Sequence, residues 1–253
     1  MLRTRVIPAL LLRKDSLVKT VNFDKFSYVG DPANTVRIFN ELEVDELLFM
    51  DITASIEQRR ANLKVLADIA NECFMPLGYG GGIDSLDKAK DVFNIGFEKV
   101  LVNTHAIYNP SLISDIANHY GSQAVIASID YKTGFFGKKT VHAYGGKRNT
   151  GYDPVEWAKE VENLGAGEIM LTSIDLEGTW EGFDIDLVGS VTESVSIPVI
   201  AHGGAGTVEH ISQVAKLANA SAVALGSMVV FQKKGMGVLV NFPEQDELKE
   251  ILS

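Results

Sequence analysis

The feature that most constrains the fold is an alternation. Short runs rich in Val, Ile and Leu recur along the chain and are separated by longer segments of helical period. The runs fall at 6–11, 46–51, 76–79, 99–103, 124–130, 168–173, 197–201 and 222–225. Apolar runs of this length, joined by amphipathic helices, make a parallel sheet whose both faces are covered. The helices expected at 154–164, with Val155, Ala158, Val161 and Leu164 on one side, and at 208–217 have the required stripe. Eight evenly spaced units favour closure into an α/β (β/α)8 TIM barrel over an open doubly wound sheet. The 253 residues match the length of one such barrel, and 46% hydrophobic content can fill its core, so one domain over residues 1–253 is expected.

The chain also repeats loosely at half its length. Asp51-Ile52-Thr53 has a counterpart in Ser173-Ile174-Asp175, Gly80-Gly81-Gly82 in His202-Gly203-Gly204, and Val102-Asn103-Thr104 in Leu225-Gly226-Ser227. On this register Leu11 corresponds to Asp130. Two (βα)4 half-barrels follow, alike in their glycine loops and unlike in acid/base chemistry.

Charge excludes some partners. With 33 acidic and 23 basic residues the formal charge is -10, which repels nucleic acid and anionic lipid, and no basic run offsets it. The apolar stretch in MLRTRVIPALLLRK is too short for a membrane span and reads as a buried first strand. The single cysteine, Cys73, rules out an intramolecular disulfide and reads as a small buried hydrophobe near a helix end, which fits a reducing cytoplasm.

Glycine pairs directly after strands let backbone N–H groups approach an anion, with the next helix directing its positive end at the same place. One candidate phosphate site combines Gly81, Gly82, Asn103 and Thr104. The other combines Gly178, Thr179, Gly203, Gly204, Gly226 and Ser227, where this fold commonly binds phosphate. Asp130 closes an apolar strand and projects into the barrel mouth, where burial raises a carboxyl pKa toward acid/base duty. Lys19 and Lys132 are candidates to clamp an anionic ligand, and Asp51 and Asp175 occupy similar strand ends. His202 has no second His or Cys at ligand spacing, so neither a metal nor another cofactor is expected. At the opposite strand ends Arg5, Glu46, Lys99 and Glu168 place two charges of each sign inside the barrel, where they must pair. By fold alone that set is structural.

From about Arg5 to Phe231 the chain resembles the cyclase subunit of imidazole glycerol phosphate synthase, the glutamine-dependent enzyme of histidine biosynthesis. The motifs are VGDP at 29–32, DIT at 51–53, GGGI at 80–83, GSQ at 121–123, SID at 128–130, EWAKEVENLGAGEIMLTS at 156–173, EGT at 177–179 and GGAG at 203–206. The resemblance implies a barrel that binds a ribonucleotide-like ligand through two phosphates, with a glutaminase subunit on its N-terminal face. Ammonia then crosses the barrel to the C-terminal mouth, and Arg5, Glu46, Lys99 and Glu168 match the family's gate. It also implies two catalytic aspartates, at the ends of strands one and five. Asp130 matches the second, but the first position holds Leu11, and an alkyl group transfers no proton. Two further departures are Glu177, where the family usually has Asp, and His202, where it usually has a small residue. This pattern is similar to a divergent branch found with sugar amidotransferases in surface-polysaccharide synthesis, where ammonia converts an acetamido sugar to an acetamidino sugar. The alternatives are a histidine-pathway cyclase in which Asp51 or Asp175 substitutes for the missing carboxylate, and a scaffold without chemistry of its own.

Overall fold

A computed structural model of the chain describes residues 4–252, so residues 1–3 of the amino-terminal run lie outside the described part. Twelve strands form one sheet: β1 (Arg5–Arg13), β2 (Ser16–Thr20), β3 (Phe26–Gly30), β4 (Leu47–Asp51), β5 (Leu77–Gly80), β6 (Lys99–Val102), β7 (Val125–Thr133), β8 (Lys139–Ala143), β9 (Arg148–Asn149), β10 (Glu168–Ser173), β11 (Val199–His202) and β12 (Ala222–Leu225). The helices are α1 (Pro32–Glu41), α2 (Leu63–Glu72), α3 (Leu86–Phe93), α4 (Thr104–Tyr108), α5 (Ser111–Tyr120), α6 (Pro154–Asn163), α7 (Ile185–Ser194), α8 (Val208–Leu217), α9 (Ser227–Val230) and α10 (Gln245–Leu252). Strands β1, β4, β5, β6, β7, β10, β11 and β12 pair in parallel. The pairings β7 with β10 and β12 with β1 close the circle, giving the expected (β/α)8 barrel.

The period-2 rule divides each barrel strand between two cores. Ile7, Ala9, Leu48, Leu101, Ile126, Met170, Ile200, Ala222 and Ala224 pack inside the barrel. Their alternates, such as Val6, Leu10, Leu47, Phe49, Val100, Ile169 and Leu171, pack outward against the helices. Both sets are apolar because both faces are dry, which is why the strands read as continuous hydrophobic runs.

The half-chain repeat extends to helix starts. Asp31 caps α1, accepting from the Asn34 amide, and Asp153 caps α6, accepting from the Val155 and Glu156 amides; each is followed by a proline in the first turn. In α6 the buried face is Pro154, Trp157, Ala158 and Val161, with Val155 and Leu164 only partly covered, so the stripe is rotated toward the large indole. Cys73 is half-buried at the end of α2, its thiol donating to the Met75 carbonyl at 3.4 Å.

Two hairpins depart from the sequence reading. β1 and β7 do not end at Leu11 and Asp130 but run on to Arg13 and Thr133 and fold back. Leu11 then pairs with Val18 on β2, and Asp130 with His142 on β8. β2 continues into β3, where the exposed Phe26 and Tyr28 break the apolar alternation by which a strand is recognised.

Candidate functional site at the barrel mouth

A cavity of about 620 Å³ opens at the C-terminal ends of the strands. Asp130 and Leu11 both line it, each on the inward side of its strand and each buried. The Asp130 carboxyl accepts from the Asn103 amide at 2.8 Å. Burial pushes its pKa up to about 7, and the hydrogen bonds from Asn103 and Thr172 oppose the rise only in part. A carboxyl poised near neutrality can give or take a proton, but Leu11 provides no partner for it.

Asp51 and Asp175, the two other strand-end carboxylates, are already committed. Asp51 Oδ1 accepts from Arg59 Nη2 at 2.7 Å and from the amides of Thr53 and Ala54 at 3.1 Å, so it organises its loop. Asp175 accepts the Thr133 amide at 2.7 Å and does not line the cavity. These contacts argue against either as the missing partner of Asp130.

Lys19 lies buried on β2, its ammonium bonded to the Glu177 carboxylate and to the Thr20 carbonyl at 2.9 Å. Burial pulls Lys19 down to about 7. His202 is pushed down to about 3 by burial and then by the Lys19 charge, so its ring is neutral at physiological pH; Nδ1 lies 3.1 Å from the Thr172 hydroxyl.

The glycine loops bracket the mouth at related positions. Asn103 (φ −118, ψ −90) and Gly226 (φ −103, ψ −90) share an unusual backbone conformation just before α4 and α9. Gly82 (φ +67) would place a Cβ 2.7 Å from the Arg59 carbonyl, and Gly204 (φ +117) would place one 1.8 Å from that of Gly182, so both positions require glycine. Among the described residues no backbone carbonyl accepts from the amides of Gly81, Gly203 or Gly204. Gly81, Gly82, Asn103 and Thr104 line the large cavity. Gly178, Gly203, Gly204, Gly226 and Ser227 line a smaller neighbouring recess, bordered like the large cavity by Lys19, Glu177 and His202. Thr179 lines neither, its amide and hydroxyl both turned to the Leu176 carbonyl. Lys132 also lies outside both linings, while Arg13, Lys25 and Lys147, which sequence reasoning missed, line the large one. They stand in or near the hairpins, and only strand pairing shows that these fold back over the mouth.

At the other end of the barrel the four charges meet. Arg5 donates to Glu46 at 2.7 Å and to Glu168 at 2.5 Å, and Lys99 to Glu46 at 2.8 Å and to Glu168 at 2.7 Å. Each cation therefore touches both anions in a closed, alternating ring. Burial pushes the Glu168 pKa up, but hydrogen bonds and charge from Arg5 and Lys99 outweigh it and hold the carboxylate low. No group of three or more His, Cys, Asp or Glu side chains able to hold a metal occurs among the described residues, and no described helix is long and apolar enough to cross a membrane.

The buried position of Asp130 leads to a stability prediction. Its folded pKa lies above the ordinary carboxyl value, so between about pH 4 and pH 7 the folded state binds more protons than the unfolded one. Stability falls as pH rises through that window. Asp130→Asn is expected to be more stable than the unaltered chain at pH 8, by about 2–4 kcal/mol, with the gap closing toward pH 4. Urea unfolding at both pH values measures this; a gap that does not depend on pH would refute the raised pKa.

Fold and site together define a (β/α)8 barrel of two related halves, with glycine loops at its mouth and a closed ion ring at its floor. Residues 5–234 match the model of a family described as "Histidine biosynthesis protein". The chain is 47% identical over 98% of its length to a Pseudomonas aeruginosa protein provisionally named imidazole glycerol phosphate synthase subunit hisF2, covering 99% of that protein. It is 45% identical to the imidazole glycerol phosphate synthase subunit HisF of Chlorobium phaeobacteroides, over 92% of each chain. A Vibrio vulnificus protein provisionally named subunit hisF3 is 40% identical over the whole chain, covering 97% of that protein. The chain belongs to the histidine biosynthesis protein family, and its likeness within it is to the HisF subunits.

Proposed function

We infer that the chain is the barrel subunit of a glutamine-dependent amidotransferase complex, with a glutaminase docked on its N-terminal face. The observation that carries this reading is the closed ring of Arg5, Glu46, Lys99 and Glu168 beneath a dry apolar interior. A floor that only had to be stable needs no buried charges, since apolar side chains of similar volume serve as well. Neutral ammonia crosses a lining of Ile7, Leu48, Leu101 and Met170 easily, whereas ammonium is excluded by the cost of burying an unpaired charge.

At the mouth, Leu11 opposite Asp130 leaves one acid/base group where the histidine-pathway cyclase reaction uses two. Ammonia is therefore delivered to another acceptor, and the chemistry that fits is conversion of an acetamido to an acetamidino group on a sugar of a surface polysaccharide. The sugar amidotransferase activates the amide oxygen with a nucleoside triphosphate, so that it leaves on phosphorus as ammonia takes its place. A phosphorylated small molecule is the ligand of the glycine loops. The test is isotopic: glutamine labelled with 15N at the side-chain amide is supplied with unlabelled ammonium to the reconstituted barrel, glutaminase and sugar amidotransferase. Label in the amidino product is expected in preference to unlabelled nitrogen, and full exchange with the medium would refute the conduit.

A histidine-pathway cyclase is the second reading. It is favoured by the retained Asp130, already poised near neutrality, and by the level of identity to the Chlorobium subunit.

A further inference from the structure

The hairpin that leaves the mouth after Asp130 ends in two phenylalanines bare to solvent. Phe135 is 99% and Phe136 95% exposed, and their rings pack on each other edge to face, with centroids 5.6 Å apart. The turn that carries them is closed by hydrogen bonds: the Gly134 amide donates to the Lys138 carbonyl at 2.8 Å, and the Gly137 amide to the Gly134 carbonyl at 3.0 Å. Gly137 takes φ +76 with nothing within 4 Å of the place a Cβ would occupy, so the tip stands clear of the barrel. A strand rises about 3.3 Å per residue, which carries the pair roughly 10–15 Å beyond Asp130. The arm is rooted in the cavity, since Asp130 lines it on the way out and Gly145 and Lys147 line it on the way back. β1 and β7 stand four strands apart around the ring, so the hairpin of the first half flanks the opening from the other side. It too brings aromatic rings, Phe26 beneath the Arg13 guanidinium at 3.8 Å and the exposed Tyr28.

Charge marks the same arm. Residues 131–148 hold Lys132, Lys138, Lys139, Lys147 and Arg148 and no carboxylate, in a chain of net charge -10. Lys139 is paired with Asp184 at 2.5 Å, whereas Lys132, Lys138 and Lys147 form no ion pair among the described residues. Aromatic anchors with a charged rim are the make-up of a protein interface rather than of a solvated loop.

We propose that the Phe135–Phe136 hairpin is the docking arm for the subunit that accepts the ammonia, and that this subunit presents an apolar cleft edged with carboxylates. The inference rests on the delivery reading above. Delivery requires such a cover, because ammonia released into water takes up a proton, and ammonium has no lone pair with which to attack. The strong negative charge of the rest of the chain disfavours an anionic membrane as the occupant.

The test is the affinity of the purified sugar amidotransferase for the barrel–glutaminase complex, measured by titration calorimetry. Phe135→Ser/Phe136→Ser should weaken it at least about 100-fold, the loss expected of two aromatic anchors, while the affinity for the glutaminase stays within about threefold. Lys138→Glu should weaken it about tenfold at low salt and far less at high salt, because screening removes the charge contribution. Phe74→Ser removes a third bare phenylalanine, from the loop between α2 and β5 at the opposite end of the barrel, and should leave amidotransferase binding unchanged. Unchanged affinity in the folded double variant overturns the docking arm, and 15N transfer in the unaltered complex then shows that the delivery reading survives. Equal losses in the double variant and Phe74→Ser overturn it as well. Binding of the unaltered chain to vesicles of anionic phospholipid, lost in the double variant while amidotransferase affinity is kept, would make the arm a membrane anchor and overturn the proposal. No binding of the amidotransferase to the unaltered complex also overturns it, and if the label then exchanges fully with the medium the delivery reading falls with it.

Discussion

Purified Leu11→Asp protein, given ammonia and the histidine-pathway ribonucleotide, is expected to turn over about 10²- to 10⁴-fold faster than the unaltered chain, the range a positioned acid/base group typically contributes. Leu11 points into the same cavity as Asp130, and the related hairpins that follow β1 and β7 put the two side chains at corresponding places in the two half-barrels. A carboxylate there completes a pair, and because like charges disfavour each other's ionisation, the first proton to leave should do so more easily than the second. The pH profile should therefore gain a second limb, which Leu11→Asn should lack. Loss of an apolar contact and burial of a carboxyl will lower stability, so circular dichroism must accompany the assay. The measurement that decides is the unaltered protein itself: turnover near that of an ordinary synthase would overturn the delivery reading and establish the histidine-pathway one.

The second large effect concerns the ion ring. Lys99→Ala leaves Glu46 and Glu168, both nearly buried, with Arg5 as their only remaining cation in the ring. Breaking such a network costs about 3 kcal/mol. A chain of this size would then melt about 6–12 °C lower. With the closed circuit broken, glutamine hydrolysis and amidino transfer in the reconstituted complex should separate, the ratio of glutamine consumed to product formed rising about tenfold as ammonia leaks to the medium. Lys99→Arg should keep the ratio near one, because a guanidinium can still reach both carboxylates. A folded Lys99→Ala protein whose ratio is unchanged would leave the ring a structural plug and make the barrel a scaffold for the glutaminase.

Much of the barrel is legible in the sequence. Both faces of a barrel strand are dry, so each strand had to be written as an apolar run, and all eight were found within a few residues of their ends. The strands beyond them were not legible, because β3 exposes Phe26, Ser27 and Tyr28 and β8 is only partly covered, so neither reads as an apolar run. Their absence from the reading hid Arg13, Lys25 and Lys147 as lining residues and made Leu11 and Asp130 look like strand ends. Of the site, Asp130, Lys19 and the members of the first glycine loop do converge on one cavity. Thr179 does not join them, since its hydroxyl completes its own turn before any ligand can use it.

The sequence by itself determined the alternation of elements, the half-chain repeat, the excess of negative charge and the leucine where a second carboxylate was expected. These are properties of order and composition, and they survive without knowledge of where any side chain points. Only the tertiary structure decided that Arg5, Glu46, Lys99 and Glu168 close into one ring, that Asp51 is held by Arg59, and that Glu177 is held by Lys19. The reason is distance. Lys19 and Glu177 lie 158 positions apart, and Arg5 and Glu168 163 apart, so their contacts exist only once the barrel has closed.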